Sequence, residues 1–349
     1  TTVAMTEAAL LKVCYATQEA IASGGNSGDD YVELATTLNH LAPISFRPMR
    51  TVTGAAQVLD VSGANVGDVI AWTQASNCTG TGGNATATKT VEYTVTPVNQ
   101  SFMLHRTMAT GQWRTCVRPA GGGLWTLVTG LELTVVMQPT FTPLVGVAGS
   151  VTPLTFLNST DMDFIVMQEN DCDDAHLAVT GGRSLQRTNV SNAVVSTTVA
   201  MTQATVLKLC YATRESGGDS RDDYTELASS FTQRVPIAFD PMRTVTGAEQ
   251  RFAVSHTANG DQVVWTQAAD CGSTAGAATV FKTVEYTSGS VVNGSTSFVF
   301  HALTNVGYWS TCMKPVGGLW TKVTGLQLRV SQQPTFAPPI GVSGMVTPI

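Results

Sequence analysis

Short runs of alternating apolar and polar residues recur along the chain and predict β-strands. VEYTV, SFVFH, VLKLCYA and LELTVV are rich in Val, Thr, Leu and aromatic residues, and Gly, Asn, Asp and Pro separate them. This is the pattern of antiparallel strands joined by hairpins. The best helix candidate, Thr6 to Ala20, contains the strand-like LLKVCYA, which returns later as TVLKLCYA with more β-branching. We therefore predict an all-β protein almost without helix.

The chain repeats itself, with a long period of 193 to 196 residues. TTVAMTEAALLKVCYAT at 1–17 returns as TTVAMTQATVLKLCYAT at 197–213, and KTVEYT at 89–94 returns at 282–287. Proline-led starts 96, 97 and 98 residues apart divide this period further, at Pro43, Pro139, Pro236 and Pro334. A unit of about 97 residues with about seven strands fits an immunoglobulin-like (Ig-like) sandwich.

These starts predict five segments. They are the C-terminal part of an Ig-like module at 1–42, complete modules at 43–138, 139–235 and 236–333, and the opening strand of a further module at 334–349. We expect either a window from a longer tandem array or a protomer whose end units are completed by neighbours. The two ends together do not make a whole module, because the stretch equivalent to Thr155–Ser196 is missing from both.

The seven cysteines fit one pair per module. The spacings of 38, 38 and 41 residues predict the disulfides Cys78–Cys116, Cys172–Cys210 and Cys271–Cys312. Cys14 is predicted to be unpaired within this chain. Metal binding and free buried thiols are the alternatives, although Cys-x-x-Cys and Cys/His clusters are absent from the sequence. Regular pairing indicates an oxidising, extracellular setting.

Six Asn-x-Ser/Thr sequons agree with secretion, and we expect covalent glycans rather than a cofactor. The candidate glycosylation sites are Asn77, Asn84, Asn99, Asn158, Asn189 and Asn293. Only 13% of the residues are charged, so attached sugars would help to keep the protein soluble.

Composition and motifs exclude several classes of function. The net charge is −6 and no basic block occurs, which argues against nucleic acid as a partner. No apolar run reaches the roughly 18 residues of a membrane-spanning helix. Signatures of hydrolases, phosphate loops and dinucleotide sites are absent from the sequence, so we expect no catalysis.

A few polar and aromatic residues have two possible interpretations. The pairs Asp29-Asp30 and Asp222-Asp223 either bind calcium or, as we favour, form exposed turns. Trp72 and Trp265 are either a sugar-stacking platform or, as we favour, aromatic residues packed near the disulfide, with Val166 at their place in the middle module. Asp171, Asp173 and Asp174 are expected in a solvated loop, and His105 and His301 in the scaffold.

The module pattern is Phe-x-Pro, then Gly-Asp-x-x-x-Trp before a cysteine, then Leu-Cys-Tyr or Thr-Cys-Met followed by Gly-Gly-x-Trp-x-x-Val-x-Gly-Leu-x-Leu. Along the entire chain it resembles the tandem Ig-like modules of large protist cell-surface proteins, of the glycoprotein-fibril and flagellar-hair (mastigoneme) kind. The resemblance implies an extracellular location, heavy glycosylation and a structural role, and it transfers no catalytic residue.

Two functions are compatible with these observations. The first is a self-assembling extracellular filament, whose partners are copies of the same chain and whose modules join almost without linkers. The second is a cell-surface adhesin or carbohydrate-binding stalk, in which Tyr31 and Tyr224 would be exposed contact residues.

Overall fold

The computed structural model describes residues 9–16, 31–40, 44–54, 57–81, 84–97, 101–104, 108–247, 250–272, 278–279, 281–283, 285–289, 295–300 and 305–335. In these ranges the regular elements are strands β1 to β26 and two short 3₁₀ helices, Cys172–Leu177 and Arg221–Asp223. The chain divides into two compact units, Thr1–Met137 and Gln138–Ile349.

The first unit holds a two-stranded hairpin and one sandwich. The hairpin is β1 (Ala9–Tyr15) and β2 (Val32–His40). The first sandwich is built from β3 (Ser45–Arg47), β4 (Arg50–Val52), β5 (Val58–Ser62), β6 (Val69–Thr73), β7 (Tyr93–Thr94), β8 (Ser101–Met103), β9 (Gly111–Arg118) and β10 (Thr126–Val136). Its sheets have the orders β3-β5-β8 and β4-β10-β9-β6-β7.

The second unit holds two further sandwiches with the same strand order. The second sandwich is β11 (Thr140–Thr142), β12 (Val145–Val147), β13 (Pro153–Leu157), β14 (Phe164–Gln168), β15 (Leu185–Asn189), β16 (Val194–Ser196), β17 (Thr205–Ala212) and β18 (Tyr224–Arg234). The third is β19 (Ala238–Asp240), β20 (Arg243–Val245), β21 (Gln250–Ser255), β22 (Gln262–Thr266), β23 (Tyr286–Thr287), β24 (Ser295–Phe300), β25 (Gly307–Lys314) and β26 (Thr321–Ser331). Their sheets are β11-β13-β16 with β12-β18-β17-β14-β15, and β19-β21-β24 with β20-β26-β25-β22-β23.

One strand pair in each sandwich is parallel, which the expectation of antiparallel hairpins did not include. The pairs are β4 with β10, β12 with β18 and β20 with β26. Pro48, Pro143 and Pro241 each precede the short parallel strand. Proline has no N–H to donate to a ladder, so the opening strand ends there and the chain continues in the other sheet.

The core of each sandwich lies between its three-stranded and five-stranded sheets. In the first sandwich, Phe46 and Trp72 from opposite sheets meet edge to face with ring centroids 5.4 Å apart. In the third sandwich, Phe239 and Trp265 do the same at 5.3 Å. Such contacts between alternate residues of two sheets are those of an Ig-like sandwich. The predicted all-β, Ig-like fold is confirmed.

Met167, and not Val166, stands at the position of these tryptophans in the second sandwich. Val166 lies opposite Cys210, whereas Trp72 and Trp265 lie one position further along their strands, opposite Thr115 and Thr311. Met167 is the residue at that position and is fully buried. The sequence-based prediction counted residues back from the cysteine. It gave Val166 because the connection from the strand to Cys172 is one residue shorter than in the other two sandwiches.

Candidate assembly surfaces

The three predicted cysteine pairs are joined in the structure, with Cα atoms 5.5 to 5.9 Å apart. Each disulfide lies on the outer face of its five-stranded sheet, the face turned away from the core. Cys116 is opposite Ala71 in the ladder, one position before Trp72, and adjacent strand residues point to opposite faces. The disulfide therefore ties a loop onto the outside of the sheet and does not link the two sheets.

This placement corrects the interpretation of the tryptophans. The core residues Trp72 and Trp265 are fully buried, which excludes a sugar-stacking platform, and they face away from the disulfide. The aromatic residue that packs against the Cys271–Cys312 disulfide is Trp320. The period-2 alternation of β22, with Val264 beside Trp265, is the sequence signal that separates the two faces.

The hairpin of β1 and β2 has the register of the hairpin of β17 and β18. Both contain the sequence LK-x-CYAT, both pair leucine with an apolar residue before a β-bulge, and both pair cysteine with glutamate after it. Lys12 bonds Glu33 at 3.0 Å, as Lys208 bonds Glu226 at 2.9 Å. The bond to Glu226 raises the pKa of Lys208.

The two hairpins differ in the burial of their equivalent side chains. In the second sandwich, β14 and the opposite sheet cover the β17–β18 hairpin, and Leu209 and Tyr211 are 0% and 1% exposed. Their counterparts Val13 and Tyr15 are 38% and 58% exposed. Cys14 is exposed and outside any disulfide, whereas its counterpart Cys210 is buried and paired. Among the described residues, β1 and β2 pair only with each other.

A buried aspartate closes one end of every sandwich. Asp68, Asp163 and Asp261 are at most 1% exposed. Each accepts backbone N–H bonds from a tight turn just before it and from the loop that follows the cysteine strand, at 2.6 to 3.0 Å. Such bonds satisfy a buried carboxylate without a counterion.

The side-chain partner of this aspartate differs between the sandwiches. Asp163 accepts a hydrogen bond from the Tyr211 hydroxyl within its own sandwich. Asp261 accepts two bonds of 2.8 Å from the guanidinium of Arg234, the last residue of the preceding sandwich. Asp68 has only backbone donors among the residues that the structure describes.

The junction between the second and third sandwiches is direct. Only 235–237 separate β18 from β19. Val147 of β12 is fully buried and belongs to the apolar cluster that also holds Val323 and Val330 of the third sandwich. Val145 forms a parallel bridge with Gly318, where a Cβ atom would lie 3.0 Å from the Val145 carbonyl oxygen. Glycine is thus the residue that lets the two backbones approach.

The first sandwich has an end that corresponds to the junction end of the third sandwich. Within the described residues, this end is apolar and exposed. Leu124 is 89% exposed, and Leu127 is also exposed. Val128 is half-buried, whereas its counterpart in the third sandwich, Val323, is 3% exposed. We call Leu124, Leu127 and Val128 the acceptor pole.

The remaining site candidates have varied environments. Four of the sequon asparagines are exposed: Asn77, Asn84, Asn158 and Asn189. The other two, Asn99 and Asn293, lie outside the described residues, as do Asp29-Asp30, His105 and His301.

Tyr224 is buried, and its hydroxyl donates to the Gly218 carbonyl oxygen at 3.0 Å. Burial raises the pKa of Tyr224 to about 12. An exposed contact role for Tyr224 is therefore wrong, whereas Tyr31 is exposed.

The acidic residues serve local structure. The Asp223 carboxylate accepts N–H bonds of 2.9 Å from Asp219 and Ser220, which caps a short 3₁₀ helix. The expected solvated loop around Cys172 is itself a 3₁₀ helix, capped by Asp171 and tied to Arg221 through Asp173. Its sequence, CDDAHL, is too short to show a helical period. Among the described residues, no group of three or more His, Cys, Asp or Glu side chains is placed to hold a metal ion.

A polar groove of about 490 Å³ lies on the second sandwich. Glu169 lines it and bonds Thr205 and Arg183. The hydrogen bond from Thr205 is the largest cause of a lowered pKa of Glu169, followed in the same direction by Arg183. The described lining contains no aromatic ring on which a sugar would stack.

Within the described part of the chain, no helix is long and apolar enough to cross a membrane.

No protein-family model and no curated protein matches the chain. Among solved structures, trypsin-activated alpha-2-macroglobulin from Escherichia coli aligns at 11% identity and a TM-score of 0.21, over 94% of this chain and 28% of that chain. A chain of the complex of Dpr2 Ig1-Ig2 with DIP-Theta Ig1-Ig3 aligns at 9% identity and a TM-score of 0.17, over 83% of this chain and all of that chain. The assignment of the Ig-like fold rests on the strand order and the two-layer cores.

Proposed function

We propose that the protein is a structural subunit of an extracellular, glycosylated filament built from tandem Ig-like modules, without catalysis. The observation that carries the proposal is the direct junction between the second and third sandwiches. Arg234 and Asp261 join there through two hydrogen bonds, and Val147 enters the neighbouring apolar cluster. A junction with a partly buried ion pair and a shared apolar cluster resists bending, as a filament requires.

The ion pair at this junction joins a partly buried Arg234 to a fully buried Asp261, and it favours a junction of fixed geometry, which an adhesin does not require. Asp261 is fully buried, and Nη1 of Arg234 donates to both of its carboxylate oxygens, so the Arg234 side chain is held at the third sandwich by charge-assisted hydrogen bonds. A hydrogen bond to a charged group contributes about 1.5–3 kcal/mol. Bending at the junction would break the same contact.

The extracellular location and the glycans are part of the same proposal. Three disulfides are typical of proteins that fold in an oxidising compartment. Four sequon asparagines lie on the surface, where a glycan meets no packed neighbour. The exposed apolar residues of the β1–β2 hairpin support self-association, because exposed apolar patches mark interaction sites.

The adhesin alternative loses its best contact residue, because Tyr224 is buried. Tyr31 alone does not make a platform for a sugar.

The proposal is tested on the chain secreted from a eukaryotic cell, so that disulfides and glycans form. We expect electron microscopy to show unbranched filaments with an axial repeat set by the modules, and peptide mass spectrometry to find glycans on the exposed sequons. Arg234→Ala should make the filaments visibly more flexible. A secreted chain that stays monomeric at high concentration and forms no filaments would contradict the proposal.

A further inference from the structure

The five-stranded sheet of the third sandwich carries a row of two arginines and one tyrosine. Arg243 of β20 is opposite Arg329 of β26 in the parallel pair, and Arg329 is opposite Tyr308 of β25 in the antiparallel pair. Neighbouring strands lie about 4.8 Å apart, so the three residues form a line about 10 Å long across the sheet. We call Arg243, Arg329 and Tyr308 the arginine row.

The row lies on the face of the sheet that is turned away from the core. Thr244, Trp309 and Val330 each follow a member of the row along its strand, and all three are buried. Adjacent strand residues point to opposite faces, so the members of the row point outward. Both arginines are exposed, and Tyr308 is 64% exposed.

The two guanidinium groups lack an acidic partner among the described residues. Neither forms an ion pair there, whereas Arg234 in the same unit is bonded to Asp261. Like charges at directly opposed positions of a sheet are destabilising. The fold therefore gains nothing from placing Arg243 beside Arg329, and an anion bound between them would remove the repulsion.

The matching positions of the other two sandwiches lack this combination. In the first sandwich they hold Arg50, Thr134 and Gln112, and the hydroxyl of Thr134 lies 3.0 Å from Oε1 of Gln112. In the second sandwich they hold Val145, Thr232 and Val206. Val206 is 55% exposed although the third sandwich follows it, so exposure at the position of Tyr308 is a property of the module.

From this row we infer that the third sandwich binds an acidic polysaccharide, whose sugars carry carboxylate or sulfate groups. A guanidinium presents a planar fork of N–H donors that matches the oxygens of such groups. The exposed ring of Tyr308 offers a flat apolar face to a sugar ring. Ser310 and Gln327 are opposite each other two positions along the same face, and they add a hydroxyl and an amide for sugar hydroxyl groups.

The geometry of the row favours a sugar polymer over other acidic ligands. Nucleic-acid binding rests on several phosphate contacts from clustered lysines and arginines, and two arginines do not supply them. An extended peptide gains affinity from main-chain hydrogen bonds at a strand edge, whereas these side chains project from a sheet face. An acidic protein is the competing ligand, and the test below includes it.

The inferred site does not depend on filament assembly, because all its residues belong to one sandwich. In a filament, each copy would present one such row, and many weak contacts to one polymer would act together.

The test measures binding of the 1–349 chain to oligogalacturonate and to sulfated dextran by isothermal titration calorimetry, with neutral dextran as the uncharged probe. Arg243→Gln and Arg329→Gln should each weaken binding at least about tenfold, because each removes charge-assisted hydrogen bonds. Tyr308→Ala should weaken binding and Tyr308→Phe should not, because the ring stays. Arg251→Gln is the charge-matched control, since Arg251 is exposed on the other sheet of the same sandwich, and it should leave binding unchanged.

All the substituted side chains are exposed, so the variants should fold, and thermal denaturation checks this. Binding to at least one acidic probe, together with weak or absent binding to neutral dextran, is the expected result. An equal loss in Arg251→Gln would show diffuse charge attraction, and tighter binding of polyglutamate would identify an acidic protein as the ligand. Either result overturns the inference, as does absence of binding to both acidic probes. A chain that forms filaments but binds neither acidic probe contradicts this inference alone.

Discussion

The hairpins β1–β2 and β17–β18 have similar sequences and the same register, but opposite environments. LKVCY lies on an exposed two-stranded ribbon, and LKLCY lies inside a sandwich. Register, bulge and the lysine–glutamate bond are common to both. Among the described residues, burial, the disulfide and the tyrosine hydrogen bond are found only at the β17–β18 hairpin, which β14 and its loops cover. The sequence of a hairpin thus sets its pairing, and the covering strands decide which side chains contribute to stability.

Of the matched substitutions in the two hairpins, replacement of the cysteines is expected to give the largest difference in stability. Cys172→Ser with Cys210→Ser removes a bond that closes a loop of 38 residues, which corresponds to about 4 kcal/mol in the chain-entropy estimate. We expect faster hydrogen exchange in peptides of β14 and β17. Cys14→Ser is the matched control and should leave exchange unchanged throughout the chain. Equal protection in the double variant and the native chain would contradict the prediction.

Truncation of an apolar side chain should give the second largest difference in stability between the two hairpins. Leu209→Ala leaves a cavity at a fully buried position, and such changes cost about 2–5 kcal/mol. Val13→Ala removes a side chain that is already partly in water and should cost much less in the free chain. Denaturant unfolding, followed by exchange in the second sandwich, measures both. Similar losses in the two variants would mean that the hairpin is covered in solution.

The equivalent tyrosines Tyr211 and Tyr15 show what one hydroxyl group contributes to stability. In the Tyr211→Phe variant, the buried Asp163 carboxylate loses a donor, which costs about 1–3 kcal/mol. Tyr15→Phe removes a hydroxyl from an exposed side chain and should have no measurable effect on unfolding. The same pair of variants, measured by thermal denaturation, separates loss of the hydrogen bond from loss of ring packing, because the ring stays in both. A stable Tyr211→Phe chain would show that the backbone donors suffice for Asp163.

Local patterns predicted the strands and the cysteine pairs, because each leaves a repeating trace in the sequence. The position of Met167 was missed because a loop one residue shorter shifts the count from Cys172. The parallel strands such as Val145–Val147 are too short to show alternation. Arg234 and Asp261 lie 27 residues apart in different modules, and a polar pair of this kind has no period. The face on which a disulfide lies follows from strand register, which spacing alone does not fix.

The smallest effect is expected for the lysine–glutamate bonds, which the two hairpins share. The hydrogen bond to Glu226 raises the pKa of Lys208, so the charged lysine is favoured in the folded state. Its contribution is present in full below the ordinary lysine pKa and is lost as the pH rises through the raised pKa of the folded state. Lys208→Met should therefore lower the unfolding midpoint slightly at pH 7, and it should have no effect once the pH is well above the raised pKa of Lys208. Both ion pairs are exposed, so 0.5 M NaCl should shrink the difference as well. Lys12→Met is the control on the uncovered hairpin: a change there as large as that of Lys208→Met would show that these bonds act through the hairpin alone, and a change only at Lys208 would show that cover is required even for a surface pair.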